Sequence, residues 1–132
     1  MDNINDSIPV ILSDKLHVLQ SKKICRRIKD LIDVYLICDN FDLSYFNLCS
    51  KIEDRLSKSG REIDFQNLFF LDTSNLDLMY RAFMKYDQSS NLNISFEDLY
   101  SKVLSFVMPI YFYLSGSVEN LIEWDSKEGK WI

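Results

Sequence analysis

The stretch Arg26-Arg27-Ile28-Lys29-Asp30-Leu31-Ile32-Asp33-Val34-Tyr35 constrains the fold more than any other part of the chain. At about 100° per residue, Arg26, Lys29, Asp30 and Asp33 fall on one narrow arc, and Ile28, Leu31, Ile32, Tyr35 and Leu36 cover the other side. A helix that is apolar over most of its circumference needs neighbours on most sides, which points to a bundle. The charged arc has two readings. Arg26 with Asp30, and Lys29 with Asp33, can form a solvated ladder worth roughly 0.2–0.5 kcal/mol per pair. That order is the weaker one, because the cation precedes the acid and Lys22, Lys23, Arg26 and Arg27 crowd the positive end of the helix dipole. Local stability would prefer the reverse, so an arc that lines a site stands beside the ladder.

At 132 residues, with 47% hydrophobic and 27% charged content, the chain is expected to form a single helical domain over 1–132 with one core. No apolar run reaches the length of a membrane span, and Met1 to Asp6 lacks the basic and apolar regions of a signal peptide, so no membrane association and a cytoplasmic location are expected. Cys25, Cys38 and Cys49 are an odd set without metal-ligand spacing and read as reduced thiols in or near the core. His17, the one histidine, cannot build a zinc site with them, and no metal site is expected within this chain.

The expected fold is mainly α: about six helices and a short C-terminal β-hairpin or extended tail. Pro9 biases Ile8 away from helix, so Ile8 to Ile11 reads as an extended lead-in, with Ser13 capping a short helix from Asp14 to about Gln20. The central helix runs to about Cys38. Asp42 or Ser44 caps the next, which carries Tyr45, Leu48, Cys49, Ile52 and Leu56 at helical spacing and stops at Gly60. Asp64 opens a short helix through Phe65 to Phe70, and Thr73 or Ser74 opens another to Tyr86. Ser95-Phe96-Glu97-Asp98 approximates a capping box for the last helix, which Pro109 should kink or restart. In the tail, Leu121 to Trp124 and Lys130 to Ile132 read as a hairpin that pins Trp124 and Trp131 on the bundle.

The net charge of −5 hides a cluster, since Lys15, Lys22, Lys23, Arg26, Arg27 and Lys29 follow one another without an acidic residue between Lys15 and Lys29. A basic cluster beside Asp30 and Asp33 suits a phosphate-bearing ligand; the plainer reading is a basic loop. Lys15 itself lies between Val18 and Leu19 on the apolar side of its helix. Either its stem covers apolar surface while the amine reaches water, or its ammonium points into a cleft shared with Asp30. A second candidate spans Asp87 to Asp98, where Asp87, Ser89, Asn91, Ile94 and Asp98 match positions of an EF-hand loop. Leu92 stands where the sharp turn needs Gly, so a polar connection between helices is the default there and calcium binding the lesser alternative.

Ser13-Asp14-Lys15-Leu16, a short basic insert, and then Arg27-Ile28-Lys29-Asp30-Leu31-Ile32-Asp33-Val34-Tyr35 resemble the C-terminal part of AbiEii/AbiGii-type abortive-infection nucleotidyltransferase toxins. Phe96-Glu97-Asp98-Leu99-Tyr100, Phe106-Val107-Met108-Pro109-Ile110 and the tail from Trp124 to Trp131 resemble the closing elements of the same family. The resemblance implies a helical domain that packs on a nucleotidyltransferase core and helps move a nucleotide from a nucleoside triphosphate to an acceptor such as tRNA. It implies Lys15 at the triphosphate and Asp30 at the active site, with Lys29, Arg27 and Arg26 binding nucleotide and Asp33 in support. The family's α/β core, with its Gly-Ser turn and Asp-x-Asp pair, has no counterpart in this chain. Mg²⁺ and nucleoside triphosphate are therefore expected only with a complementing core, and the chain alone is expected to be inactive. Expected partners are a core-bearing nucleotidyltransferase chain or a second copy, an antitoxin, and tRNA through the full enzyme. The competing expectation is a non-catalytic helical interaction module whose charged arc is a ladder or a docking surface.

Overall fold

In the computed structural model, residues 4–19, 28–60, 73–86, 93–117 and 120–132 are described. They form α1 (Ile4–Leu19), α2 (Ile28–Asn40), β1 (Leu43–Ser44), α3 (Tyr45–Ser59), α4 (Thr73–Tyr86), α5 (Phe96–Leu114), β2 (Glu123–Asp125) and β3 (Lys130–Trp131). The fold is mainly α, as the periodicity predicts, with five helices among the described residues. The short helix expected from Asp64 lies outside them.

The central position of α2 follows from its sequence. Ile28, Leu31, Ile32, Val34, Tyr35, Ile37 and Cys38 are all buried, and α2 packs against α1, α4 and α5. On α3 the apolar stripe Tyr45, Leu48, Cys49, Ile52 and Leu56 is buried, and the helix packs against α1 and α5. Gly60 ends α3 in the left-handed region at φ 68°, its N–H directed to the carbonyls of Leu56 and Ser57. At the start of α5, Ser95 Oγ accepts the Asp98 N–H at 3.2 Å, the N-terminal half of the expected capping box.

Pro9 behaves differently from the local expectation, and Pro109 does not restart its helix. α1 begins at Ile4 and includes Pro9, so Ile8 to Ile11 is helical rather than extended, and Ser13 Oγ back-bonds to the Val10 carbonyl at 2.8 Å instead of capping. Ile8, Leu12 and Leu16 recur every four residues and are fully buried. Burial of such side chains is worth roughly 1.5–3 kcal/mol each, enough in sum to outweigh the roughly 3 kcal/mol that an internal proline costs a helix. α5 likewise runs without a restart through Pro109, between the buried Phe106 and Val107 on one side and Ile110 on the other. Ser105, whose carbonyl loses its donor to Pro109, is exposed to water.

The tail hairpin forms, with Trp124 opposite Trp131 and Asp125 opposite Lys130. The structure adds a third strand, because Leu43 and Ser44 pair antiparallel with Trp124 and Glu123, giving the order β1-β2-β3. Trp124 is completely buried, and its indole N–H donates to the Cys38 carbonyl at 2.6 Å, satisfying a backbone acceptor in the last turn of α2. Trp131 donates to the Phe106 carbonyl at 3.0 Å and stacks on the Phe106 ring, with centroids 5.5 Å apart. The expected cap on α3 is also reassigned: Ser44 makes no side-chain cap, and the Asp42 carboxylate instead accepts from Ser126 N and Oγ at 2.8 and 2.7 Å. That contact anchors the β2–β3 turn.

Candidate functional site

Two carboxylates one helical turn apart, Asp30 in the first turn of α2 and Asp33 beyond it, face a single ammonium from α1. Lys15 Nζ lies 2.7 Å from Asp30 Oδ1 and 2.9 Å from Asp33 Oδ2. The spacing of three puts both acids on one side of α2, and the packing of α1 on α2 brings the lysine to them. The side chains of Lys15, Asp30 and Asp33 retain 27%, 14% and 31% of their exposure, so the cluster sits at the edge of the core, with Asp30 its most sheltered member.

The electrostatics follow from this geometry. Hydrogen bonds to Asp30 and then to Asp33 raise the Lys15 pKa above its ordinary value, against the opposing effect of burial. Lys15 therefore stays charged through the neutral range and is no amine nucleophile there. One ammonium against two carboxylates leaves the cluster with a formal charge of −1. Two of the three ammonium N–H groups have acceptors in these carboxylates.

Of the residues singled out in the sequence, Lys15, Asp30 and Asp33 are brought together. Lys29 is exposed on α2, and Arg26 and Arg27 lie outside the described residues. The expected pairing of Lys29 with Asp33 along the helix gives way to a pairing across helices, since the described ion partner of Asp33 is Lys15. A polar bridge between α1 and α2 fixes the two helices relative to each other, which an intrahelical ladder does not. For the EF-hand-like stretch, Asp87 to Leu92 lies outside the described residues, and Ser95 and Asp98 are engaged in starting α5.

A second interhelical pair escaped the sequence reading. Lys102 of α5 donates to Asp39 Oδ1 of α2 at 2.6 Å, and its Nζ stands 5.7 Å from the Tyr35 ring centroid. A Cβ at Gly129, which has φ 67°, would lie 3.3 Å from Lys102 Cε, so the hairpin turn closes directly over the lysine stem. Asp39 near the C-terminus of α2 opposes the helix dipole, and that mismatch was the available signal. On the other side of α1, Arg55 of α3 approaches Asp14 at 3.5 Å. Lys15 thus sits on a helix held to both neighbours by charge as well as by apolar packing.

Among the described residues no group of three or more His, Cys, Asp or Glu side chains is arranged to hold a metal ion. No described helix is long and apolar enough to cross a membrane. An open groove of about 410 Å³ is lined by Tyr80, Arg81, Met84, Asn93, Ile94 and Ser95, and does not include Lys15, Asp30 or Asp33. Cys38 and Cys49 are buried free thiols whose pKa burial pushes up to about 12, which makes them inert packing groups. Comparison of the chain with protein-family models, with characterised proteins and with solved structures finds no match.

Proposed function

We propose that this chain is the C-terminal helical part of an AbiEii-like nucleotidyltransferase toxin, supplying Lys15 and Asp30 to a site that a separate core completes. The observation that carries this reading is the 2.7 Å contact between Lys15 and Asp30, fifteen residues apart in sequence and on different helices. In the proposed reaction a nucleoside triphosphate gives its nucleotide to a hydroxyl of an acceptor such as tRNA, with release of pyrophosphate. Such chemistry depends mainly on positioning and charge stabilisation. The Lys15 ammonium is the group suited to the phosphates, Asp30 is suited to orient a proton-bearing group, and Asp33 is a second counter-charge on the ammonium one turn further along α2. Lys29, Arg27 and Arg26 are the residues proposed to add positive charge for nucleotide binding. In this proposal Mg²⁺ is held by the Asp-x-Asp pair of the core-bearing partner, and no step is assigned to it here. The cytoplasm is the compartment in which such a toxin, its antitoxin and tRNA would meet.

The test is nucleoside triphosphate binding by the chain mixed with a separately expressed core-bearing chain. Affinity that appears on mixing and drops at least about tenfold in Lys15→Ala, roughly 1.4 kcal/mol, supports the proposal. Equal affinity in the variant overturns it. A second reading, a helical interaction module without catalysis, is favoured by one observation: both carboxylates already occupy the ammonium, as in an interhelical staple. Under that reading no pairing produces nucleotide binding, and sedimentation shows association of the chain with itself or with a protein partner.

A further inference from the structure

The two carboxylates on Lys15 are unequal, and the difference suggests a control point. Asp30 makes the shorter contact, 2.7 Å against 2.9 Å, and is the more sheltered, at 14% exposure against 31% for Asp33. With both acids in place an incoming polyanion meets a cluster of net charge −1. With the Asp33 carboxylate moved away from the ammonium, it meets the neutral Lys15–Asp30 pair at closest approach and the remaining negative charge at a greater distance. We propose that Asp33 is an autoinhibitory contact: it holds the Lys15 ammonium away from polyphosphate until a ligand or partner displaces it. This rests on the reading of Lys15 as a triphosphate-contacting residue and adds its regulation.

The physical argument is one of competition. A phosphate oxygen that approaches the Lys15 ammonium meets the Asp33 carboxylate beside it, so binding has to exceed the repulsion between the two anions and the loss of any ion pair it displaces. At a few ångströms, removing a unit like charge is enough to change affinity by about tenfold or more. Asp30 anchors the amine throughout, which keeps α1 seated on α2 while Asp33 exchanges.

Inorganic tripolyphosphate titrated calorimetrically into the full chain mixed with the core-bearing chain, without magnesium, tests the device. Asp33→Asn preserves the shape of the side chain and removes its charge, and Asp33→Ser gives a second reading with a smaller group; circular dichroism checks that both keep the native helix content. The expected result is affinity at least about tenfold tighter than wild type in both variants, with the gain abolished when Lys15→Met is added. Equal or weaker binding in the Asp33 variants, or a gain that survives Lys15→Met, overturns the gate. Wild-type binding that depends on Lys15 but does not tighten without Asp33 refutes the gate alone. No binding by any variant refutes both the gate and the triphosphate role of Lys15, and variants that lose their helices assign Asp33 to the fold and likewise overturn the gate.

Discussion

Lys15 and Trp124 are polar groups on which much of the surrounding structure depends, for opposite reasons. The lysine is a charge brought to the edge of the core with its counter-charges, and removing it strands two carboxylates that shelter there. Lys15→Met is expected to lower stability by about 1–3 kcal/mol at neutral pH, in the range for breaking a charged hydrogen-bonded partner, as measured by urea denaturation. The tryptophan is an apolar mass carrying one N–H, and that N–H meets a helix carbonyl in a fully buried place. Trp124→Phe both shrinks the side chain and orphans the Cys38 carbonyl, with an expected loss of about 2–4 kcal/mol. Loss of the near-ultraviolet dichroism of the Trp124–Trp131–Phe106 cluster should accompany it. A Trp124→Phe variant as stable as wild type would mean that the hairpin does not hold the end of α2.

At the scale of elements, the end of α3 and the start of α5 were legible, and the starts of α1 and α3 were not. Ser95 and Gly60 announce their roles through local chemistry, an oxygen for an unpaired N–H and a residue free to adopt positive φ. Ser95→Ala is expected to cost about 1 kcal/mol, read as a lower midpoint of denaturation with unchanged cooperativity. Pro9 sends an equally clear local signal that tertiary packing overrides. Pro109→Ala restores an N–H to the helix interior, where the Ser105 carbonyl awaits it, and is expected to stabilise the chain by about 1–2 kcal/mol after allowance for the looser unfolded chain. A decrease in stability would show that the proline ring packs too well to lose. The site divides the same way. Asp30 and Asp33 share an arc by periodicity alone, whereas their meeting with Lys15 depends on how α1 crosses α2. Lys102 could not be singled out, because nothing local distinguishes it from a solvated lysine; only the approach of α2 and of the Gly129 turn sets it apart.

For the whole molecule, the distribution of ionisable groups predicts a weakness at high pH. Burial raises the pKa of the Cys38 and Cys49 thiols to about 12 from an ordinary 9.0, and it also raises Tyr35, Tyr80 and Tyr100. Below about pH 9 the thiols are protonated in folded and unfolded chains alike, and their contribution to stability is fully present. As the pH climbs toward 12 the unfolded thiols ionise while the folded ones resist, so stability drains away at up to about 1.4 kcal/mol per pH unit for each thiol. Lys15 and Lys102 act in the same direction above their ordinary pKa of 10.5, because their folded values are raised and their pairs dissolve as the amines lose charge. Urea midpoints should fall steadily from pH 8.5 to about 11, and Cys38→Ala with Cys49→Ala should flatten the early part of that decline. A midpoint constant across this range would place the thiols in contact with solvent.

Helical periodicity, the caps at Gly60 and Ser95 and the aromatic hairpin were properties of the sequence, because each rests on interactions within a few residues of itself. The run of Pro9 and Pro109 inside long helices, the recruitment of Leu43 and Ser44 as a third strand, and the pairing of Lys15 with two acids of another helix were decided only by the tertiary structure. Each of these sets a local preference of a few kcal/mol against burial or charge pairing between segments distant in the chain, and that balance exists only once the segments have met.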